Sequence, residues 1–190
     1  SAGISLAAKL KHQTTVVVEP KHPDERDVSW ALWAKGDQLQ ELGSAIKGCW
    51  KQWRLVDHQG EILHTSDDYH YISLSSADYL RNRESQLAPS TKLIRDCAEH
   101  IQSTGCGGNF SVSGQRYHAQ HIYDSRPPKM DKNGLKQHFL GIEIRTKQPL
   151  KETSIATLMD FRVDQSRGLH FIYALPFSGR SLLIESTMIS

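Results

Sequence analysis

Near the start of the chain the apolar positions change period. Ile4, Ala7, Ala8 and Leu10 recur at helical spacing as far as Lys11, whereas Thr14 to Val18 is a β-branched run of the kind that fits a pleated strand. The order is therefore helix, then strand, and Glu19-Pro20 ends the strand because proline cannot donate to a sheet ladder. Between Arg54 and Ile62 the run Asp57-His58-Gln59-Gly60 separates two short strand patterns and predicts a hairpin. Tyr69, Tyr71 and Ile72 extend a strand, and Ser75 or Ser76 can cap a short helix holding Tyr79 and Leu80. Leu93, Ile94, Cys97, Ala98 and Ile101 follow helical spacing, so periodicity predicts a helix over Lys92 to Gln102. Gly105, Gly107 and Gly108 then break any regular element, without the lysine-containing pattern of a phosphate loop.

The last fifty or so residues are the most regular. His138 to Arg145, Ala156 to Val163, His170 to Leu175 and Ser181 to Thr187 each read as a strand. The connections around Pro149, Gln165 to Gly168 and Pro176 to Gly179 are short, as in an antiparallel meander. In the first of these strands alternation puts Phe139, Gly141, Glu143 and Arg145 on one side and Leu140, Ile142 and Ile144 on the other, which predicts at least one apolar face. Glu185 follows Leu182, Leu183 and Ile184 inside the last strand. A carboxylate there either faces water or lies in a pocket, where burial would raise its pKa toward the range of an acid catalyst.

Composition narrows the class. The 190 residues are 38% hydrophobic and 23% charged, which describes a globular chain of one domain or two small lobes. The 23 basic and 21 acidic residues balance to a formal +2, which argues against a polyanion-binding surface and so against nucleic acid as a partner. Phe171 to Phe177, the longest relevant apolar run, includes a proline and falls far short of the ~18 residues of a membrane span. Three cysteines without a C-x-x-C pair, and no apolar leader, suit reduced thiols in the cytoplasm. Among ten histidines the nearest pair is His118 and His121, which an extended stretch projects to opposite faces, so no metal is expected. The first residue is Ser, not Met, and the helix opens with no strand before it, so the sequence reads as an internal piece of a longer one.

That opening carries one candidate cofactor feature. In a dinucleotide-binding βαβ unit, G-x-G-x-x-G leads into a helix whose amides face the pyrophosphate, and an acid ~20 residues later bonds a ribose hydroxyl. Gly3 stands where the third glycine would be, and Glu19 then falls at the spacing of that acid. An acid, not a basic residue, at this point favours a free 2′-hydroxyl, as in FAD or NAD. Trp30, Trp33, Trp50 and Trp53 crowd a short stretch, either as core or as a wall for a long apolar ligand; composition leaves both open.

Met159-Asp160-Phe161-Arg162, then Phe171 to Ser178, then Leu183-Ile184-Glu185-Ser186-Thr187 strongly resemble the central run of flavin-dependent lycopene cyclases. Trp30-Ala31-Leu32-Trp33, the stretch from Tyr71 to Tyr79, Asp124-Ser125-Arg126 and Gln137-x-Phe139-x-Gly141 follow in that family's order, so the resemblance covers essentially the whole chain. It implies an α/β flavoprotein similar to the aromatic hydroxylases. Residues 1–130 would form an incomplete FAD/NAD(P)-binding Rossmann-like lobe with inserted segments, and 131–190 part of an antiparallel substrate-binding sheet. It also implies strands and hairpins over residues 91–123, against the helical reading of Lys92 to Gln102.

The implied activity is redox-neutral closure of the end of lycopene, with peripheral membrane contact. Glu185 would be the acid or cation stabiliser, FAD would act in reduced form, and NAD(P)H would be the reductant. Gly3, Glu19, Asp124 and Arg126 match cofactor-binding motif positions. Where the family usually carries a second acid beside the glutamate this sequence has Ser186, and Pro127 replaces the usual glycine after Arg126. The alternatives are a flavin-dependent monooxygenase or other oxidoreductase on another apolar substrate, or an inactive cyclase-like flavin-binding fragment.

Overall fold

A computed structural model of the protein describes residues 2–25, 27–127 and 134–190. In chain order the elements are α1 (Ala2–Lys9), β1 (Thr15–Val18), β2 (Ser29–Ala34), α2 (Gly36–Leu42), β3 (Ile46–Trp50), β4 (Gln52–Val56), β5 (Glu61–Thr65) and β6 (His70–Ser75). They continue with α3 (Ser76–Ser85), β7 (Thr91–Ile94), β8 (Glu99–Thr104), β9 (Gly107–Val112), β10 (Gln115–Ala119), β11 (Gln137–Arg145), β12 (Ile155–Asp160), β13 (Leu169–Ser178) and β14 (Ser181–Ile189).

Two compact units are interleaved along the chain. One comprises Ser1–Val28 and Ser75–Lys129, the other Ser29–Leu74 and Met130–Ser190. The expected consecutive division is 1–130 against 131–190; in the structure residues 29–74 pack with the C-terminal segment. The reason lies in β4, which pairs in parallel with β12 through Ala156↔Trp53 and so becomes part of the C-terminal sheet.

In the first unit β1 and β7 pair in parallel, from Thr15↔Thr91 to Val18↔Ile94. Helix α1 buries Ile4, Ala7 and Ala8 on β1 and α3, and Ser5 Oγ hydrogen-bonds Tyr79 Oη of α3 at 2.7 Å. Ser75 caps α3 by accepting from the Asp78 amide at 3.1 Å. Strands β8, β9 and β10 form an antiparallel sheet with β9 in the middle. Residues 92–102 are therefore not a helix. β1 offers an unpaired ladder that β7 fills, and β8 pairs with β9, so non-local pairing outweighs a local apolar period. Gly107 and Gly108, expected to break regular structure, lie inside β9. Gly107 has φ +139°, and a Cβ there would run into the Ala119 carbonyl oxygen, so the residue marks a close backbone approach.

The second unit holds a six-stranded sheet in the order β11-β14-β13-β12-β4-β5 and a three-stranded sheet β2-β6-β3. The Asp57 to Gly60 turn joins β4 and β5 as expected, with Asp57 Oδ1 accepting from the amides of Gln59 and Gly60 at 2.8 and 3.0 Å. β12, β13 and β14 form the expected meander, whereas β11 pairs with β14 along its whole length, from Gln137↔Ile189 to Arg145↔Ser181. Pro176, expected in a turn, lies within β13 opposite Leu182, and the reversal falls at residues 179–180.

The core of this unit is Trp50, Tyr71, Ala156, Leu175 and Leu183, with Trp53, Leu158, Tyr173 and Phe177 packed against it. Burial of a side chain such as Leu175, fully excluded from water, contributes about 1.5–3 kcal/mol. Trp50 Nε1 satisfies its only donor on the Thr153 carbonyl at 3.2 Å. Alternation assigns the sides of β11 as predicted, yet neither is covered: Phe139 is 66% exposed and Leu140 74%, because β11 is the edge strand.

Candidate functional site

A period of two along β14 divides its side chains between two surfaces. Leu183, Glu185 and Thr187 lie with the buried core, and Leu182, Ile184 and Ser186 lie on the opposite face. Glu185 is thereby carried half-buried onto the core side by its apolar neighbours. Thr187, only 1% exposed, donates its hydroxyl to Glu185 Oε1 at 2.9 Å.

Cross-strand neighbours complete the surroundings. Tyr173 of β13 stands directly opposite Glu185, and its hydroxyl hydrogen-bonds that of Tyr71 from β6. Burial raises both phenols above the ordinary tyrosine value, Tyr173 strongly so, and the nearby Glu185 charge adds to the rise. On the other flank Glu185 pairs with Gly141 of β11, and its Oε2 lies 3.3 Å from where a Cβ on that glycine would be. Two residues further along β11, Glu143 is bound by Lys47 Nζ and by Ser29 Oγ, and Lys47 Nζ sits 4.8 Å from the centre of the Phe177 ring. Trp33 meets Tyr71 edge-on at 4.9 Å and Trp53 at 6.1 Å, so an aromatic row runs from an exposed tryptophan to the Tyr71–Tyr173 pair. Of the four tryptophans, Trp50 is buried in the core, whereas Trp33 is about half exposed.

Ser186, beside Glu185 in sequence, does not share its surroundings. Its Oγ hydrogen-bonds His170 Nε2 at 2.9 Å on the opposite face, and His170 Nδ1 lies 3.1 Å from the Asp164 carbonyl oxygen. An acid at position 186 would project from that same face, away from the Glu185 carboxylate.

The remaining sequence-derived candidates belong to the first unit. Gly3 is in the first turn of α1. Glu19 follows the last residue of β1, its amide donating to the Ile94 carbonyl at 3.0 Å and its Oε1 accepting from the Lys21 amide at 3.2 Å. That carboxylate stands at the carboxyl end of a parallel strand, where α/β folds bind ligands, and the Lys21 contact engages one of its two oxygens. Asp124 and Arg126 form a two-pronged pair at 2.9 and 2.8 Å, which holds the Asp124 carboxyl below the usual range, and Arg126 also donates to the Ala98 carbonyl at 2.9 Å. The helix on a parallel strand with an acid at its end fits the adenosine half of a dinucleotide. No group of three His, Cys, Asp or Glu residues able to hold a metal occurs among the described residues, and His118 is engaged with Asn109.

Sequence reasoning singled out Glu185 but not the residues around it: Thr187, the Tyr71–Tyr173 pair and Gly141. Period two pointed to Thr187, since it places residue 187 on the face of 185. Tyr71 and Tyr173 are a hundred residues apart in sequence, and no local signal joins them.

The sequence profile of the family described as lycopene cyclase protein matches residues 1–190. No curated protein matches the chain in sequence. Among solved structures, it is similar to a geranylgeranyl bacteriochlorophyll reductase-like protein from Thermoplasma acidophilum at 11% identity and TM-score 0.63, covering 98% of this chain and 53% of that one. A flavoprotein/dehydrogenase from Cytophaga hutchinsonii aligns at 12% identity and TM-score 0.64, covering 97% and 52%. CtdE in complex with FAD aligns at 9% identity and TM-score 0.61, covering 99% and 56%. The chain thus spans about half the length of these structures, with which it shares a flavoprotein fold. Among the described residues no helix is long and apolar enough to cross a membrane. The chain belongs to the lycopene cyclase family.

Proposed function

We propose that the protein closes the end of linear lycopene into a ring without net redox change, and that Glu185 is its acid. The observation that carries this reading is a carboxyl group held half-buried on the aromatic core side of a sheet, in a chain of this family. Cyclisation requires a proton for a terminal alkene, a stabilised tertiary carbocation, and loss of a different proton from the new ring. Glu185 supplies the first, and its carboxylate then opposes the positive charge it has created. Tyr71 and Tyr173, kept neutral by burial, present aromatic rings close to that charge without competing as ionised groups.

Gly3 and Glu19 would hold the adenosine portion of FAD, with Asp124 and Arg126 ordering the segment that follows β10. Bound in reduced form, with NAD(P)H as reductant, the flavin supplies an electron-rich ring that stabilises cationic charge. A substrate this apolar resides in membrane, so peripheral contact with a bilayer belongs to the proposal. A flavin-dependent oxidoreductase acting on another apolar compound is the competing reading, supported by the reductase-like and dehydrogenase structures that share the fold.

The test is Glu185→Gln in the full chain, expressed in a lycopene-producing host. Cyclised product is expected to fall by at least the 10²–10⁴-fold that a positioned acid is worth, with bound flavin retained. Ring closure at the wild-type rate removes Glu185 from the mechanism. Unchanged lycopene together with NADPH-dependent oxygen uptake by the wild type favours the competing reading.

A further inference from the structure

Three of the four sides of Glu185 are occupied. Leu183 adjoins it within the core, Thr187 holds Oε1 with its hydroxyl, and Tyr173 turns its own hydroxyl to Tyr71. The fourth side is Gly141, an exposed residue on the edge strand that offers no side chain of its own beneath Oε2; Leu183 Cδ1 lies 3.4 Å from the place a Cβ would take. Backbone conformation does not require glycine here, because Gly141 is absent from the residues with positive φ and lies in an unbroken register with β14. A glycine inside a strand costs about 0.5–1 kcal/mol relative to alanine, so its use at this position points to a close approach.

We infer that Gly141 determines substrate access: the bare backbone uncovers Oε2 of Glu185 toward the sheet edge, and the alkene end group of an apolar chain seats over Gly141 against Phe139. This rests on the reading of Glu185 as the acid and adds where the substrate meets it. Oε1 of Glu185 accepts from Thr187, and Oε2 is the oxygen that lies above Gly141. Phe139 projects from the same face two residues away and is 66% exposed, offering an apolar wall. On the other side of Gly141 the Glu143–Lys47–Ser29 cluster is polar and engaged with itself, so a hydrocarbon end group lies toward Phe139. At 3.3 Å even a methyl group at position 141 crowds Oε2, and a branched side chain covers it.

The experiment compares wild type, Gly141→Ala and Gly141→Val as full chains. Valine is a better strand residue than glycine, so a folded variant is expected, and thermal unfolding checks it. Two quantities are read: cyclised product in a lycopene-producing host, and the rate at which a water-soluble carbodiimide couples an amine to Glu185, located by mass spectrometry. With Gly141→Val both fall, turnover by on the order of 10²-fold as for a misplaced reacting group, and Gly141→Ala is intermediate. Wild-type labelling of Glu185 in both variants overturns the inference. Cyclisation surviving Glu185→Gln overturns the acid assignment instead, while the labelling still reports whether Gly141 uncovers the carboxylate.

Discussion

The two surfaces of β14 alternate along the six residues from Leu182 to Thr187 and behave differently. On one, Leu183, Glu185 and Thr187 meet the aromatic core, and the carboxylate of Glu185 keeps one oxygen bound by Thr187 and the other over a glycine. On the other, Ser186 and His170 hold each other among Leu140, Ile142 and Ile184, with Leu140 74% exposed. Adjacent residues 185 and 186 therefore occupy separate chemical environments. Two neighbours on a strand face opposite sides of the sheet, so Ser186 does not enter the surroundings of Glu185.

The contrast is most forcefully tested from the core side. Trp50→Ala removes a buried ring packed on Tyr71 and Phe177 and leaves the Thr153 carbonyl without its donor, so a loss of about 3–5 kcal/mol is expected in denaturant unfolding. Stability near that of wild type would mean that this face is not the core.

A smaller effect comes from alkaline pH. The folded pKa values of Tyr71 and Tyr173 are raised above the unfolded value, so their contribution is complete below the ordinary tyrosine pKa of about 10 and is lost as pH rises beyond it. Tyrosinate absorbance should accordingly stay short of the full amplitude of six tyrosines until the protein unfolds, then rise together with loss of structure. Full amplitude from the folded protein would contradict the burial of the pair.

The least effect is expected on the opposite face. Ser186→Ala deletes one half-buried hydrogen bond to His170, worth about 0.5–1.5 kcal/mol, and is expected to leave the proposed cyclisation unchanged. A large loss of turnover with Ser186→Ala would erase the distinction between the faces.

Much of this arrangement was legible in local pattern. The opening helix and strand, the Asp57 hairpin, the Ser75 cap and the C-terminal strands each rest on short-range rules of period, turn chemistry and capping, which operate within a few residues. Lys92 to Gln102 failed for the complementary reason: the same apolar spacing serves a helix or two strand segments, and the partners that decide, β1 and β9, lie outside the window. Pro176 inside β13 and the exposure of β11 follow the same logic, since position within the sheet settles both.

The sequence alone determined the family, the strand that carries Glu185, and the alternation that separates residue 185 from residue 186, because each depends on residue identity and a period of two. Tertiary structure decided that β4 and β12 share a sheet, that Tyr71 meets Tyr173, and that Gly141 lies beneath the free oxygen of Glu185. These are encounters between segments far apart in the chain. Their energies come from burying common surface and satisfying each other's polar groups, which no local window contains.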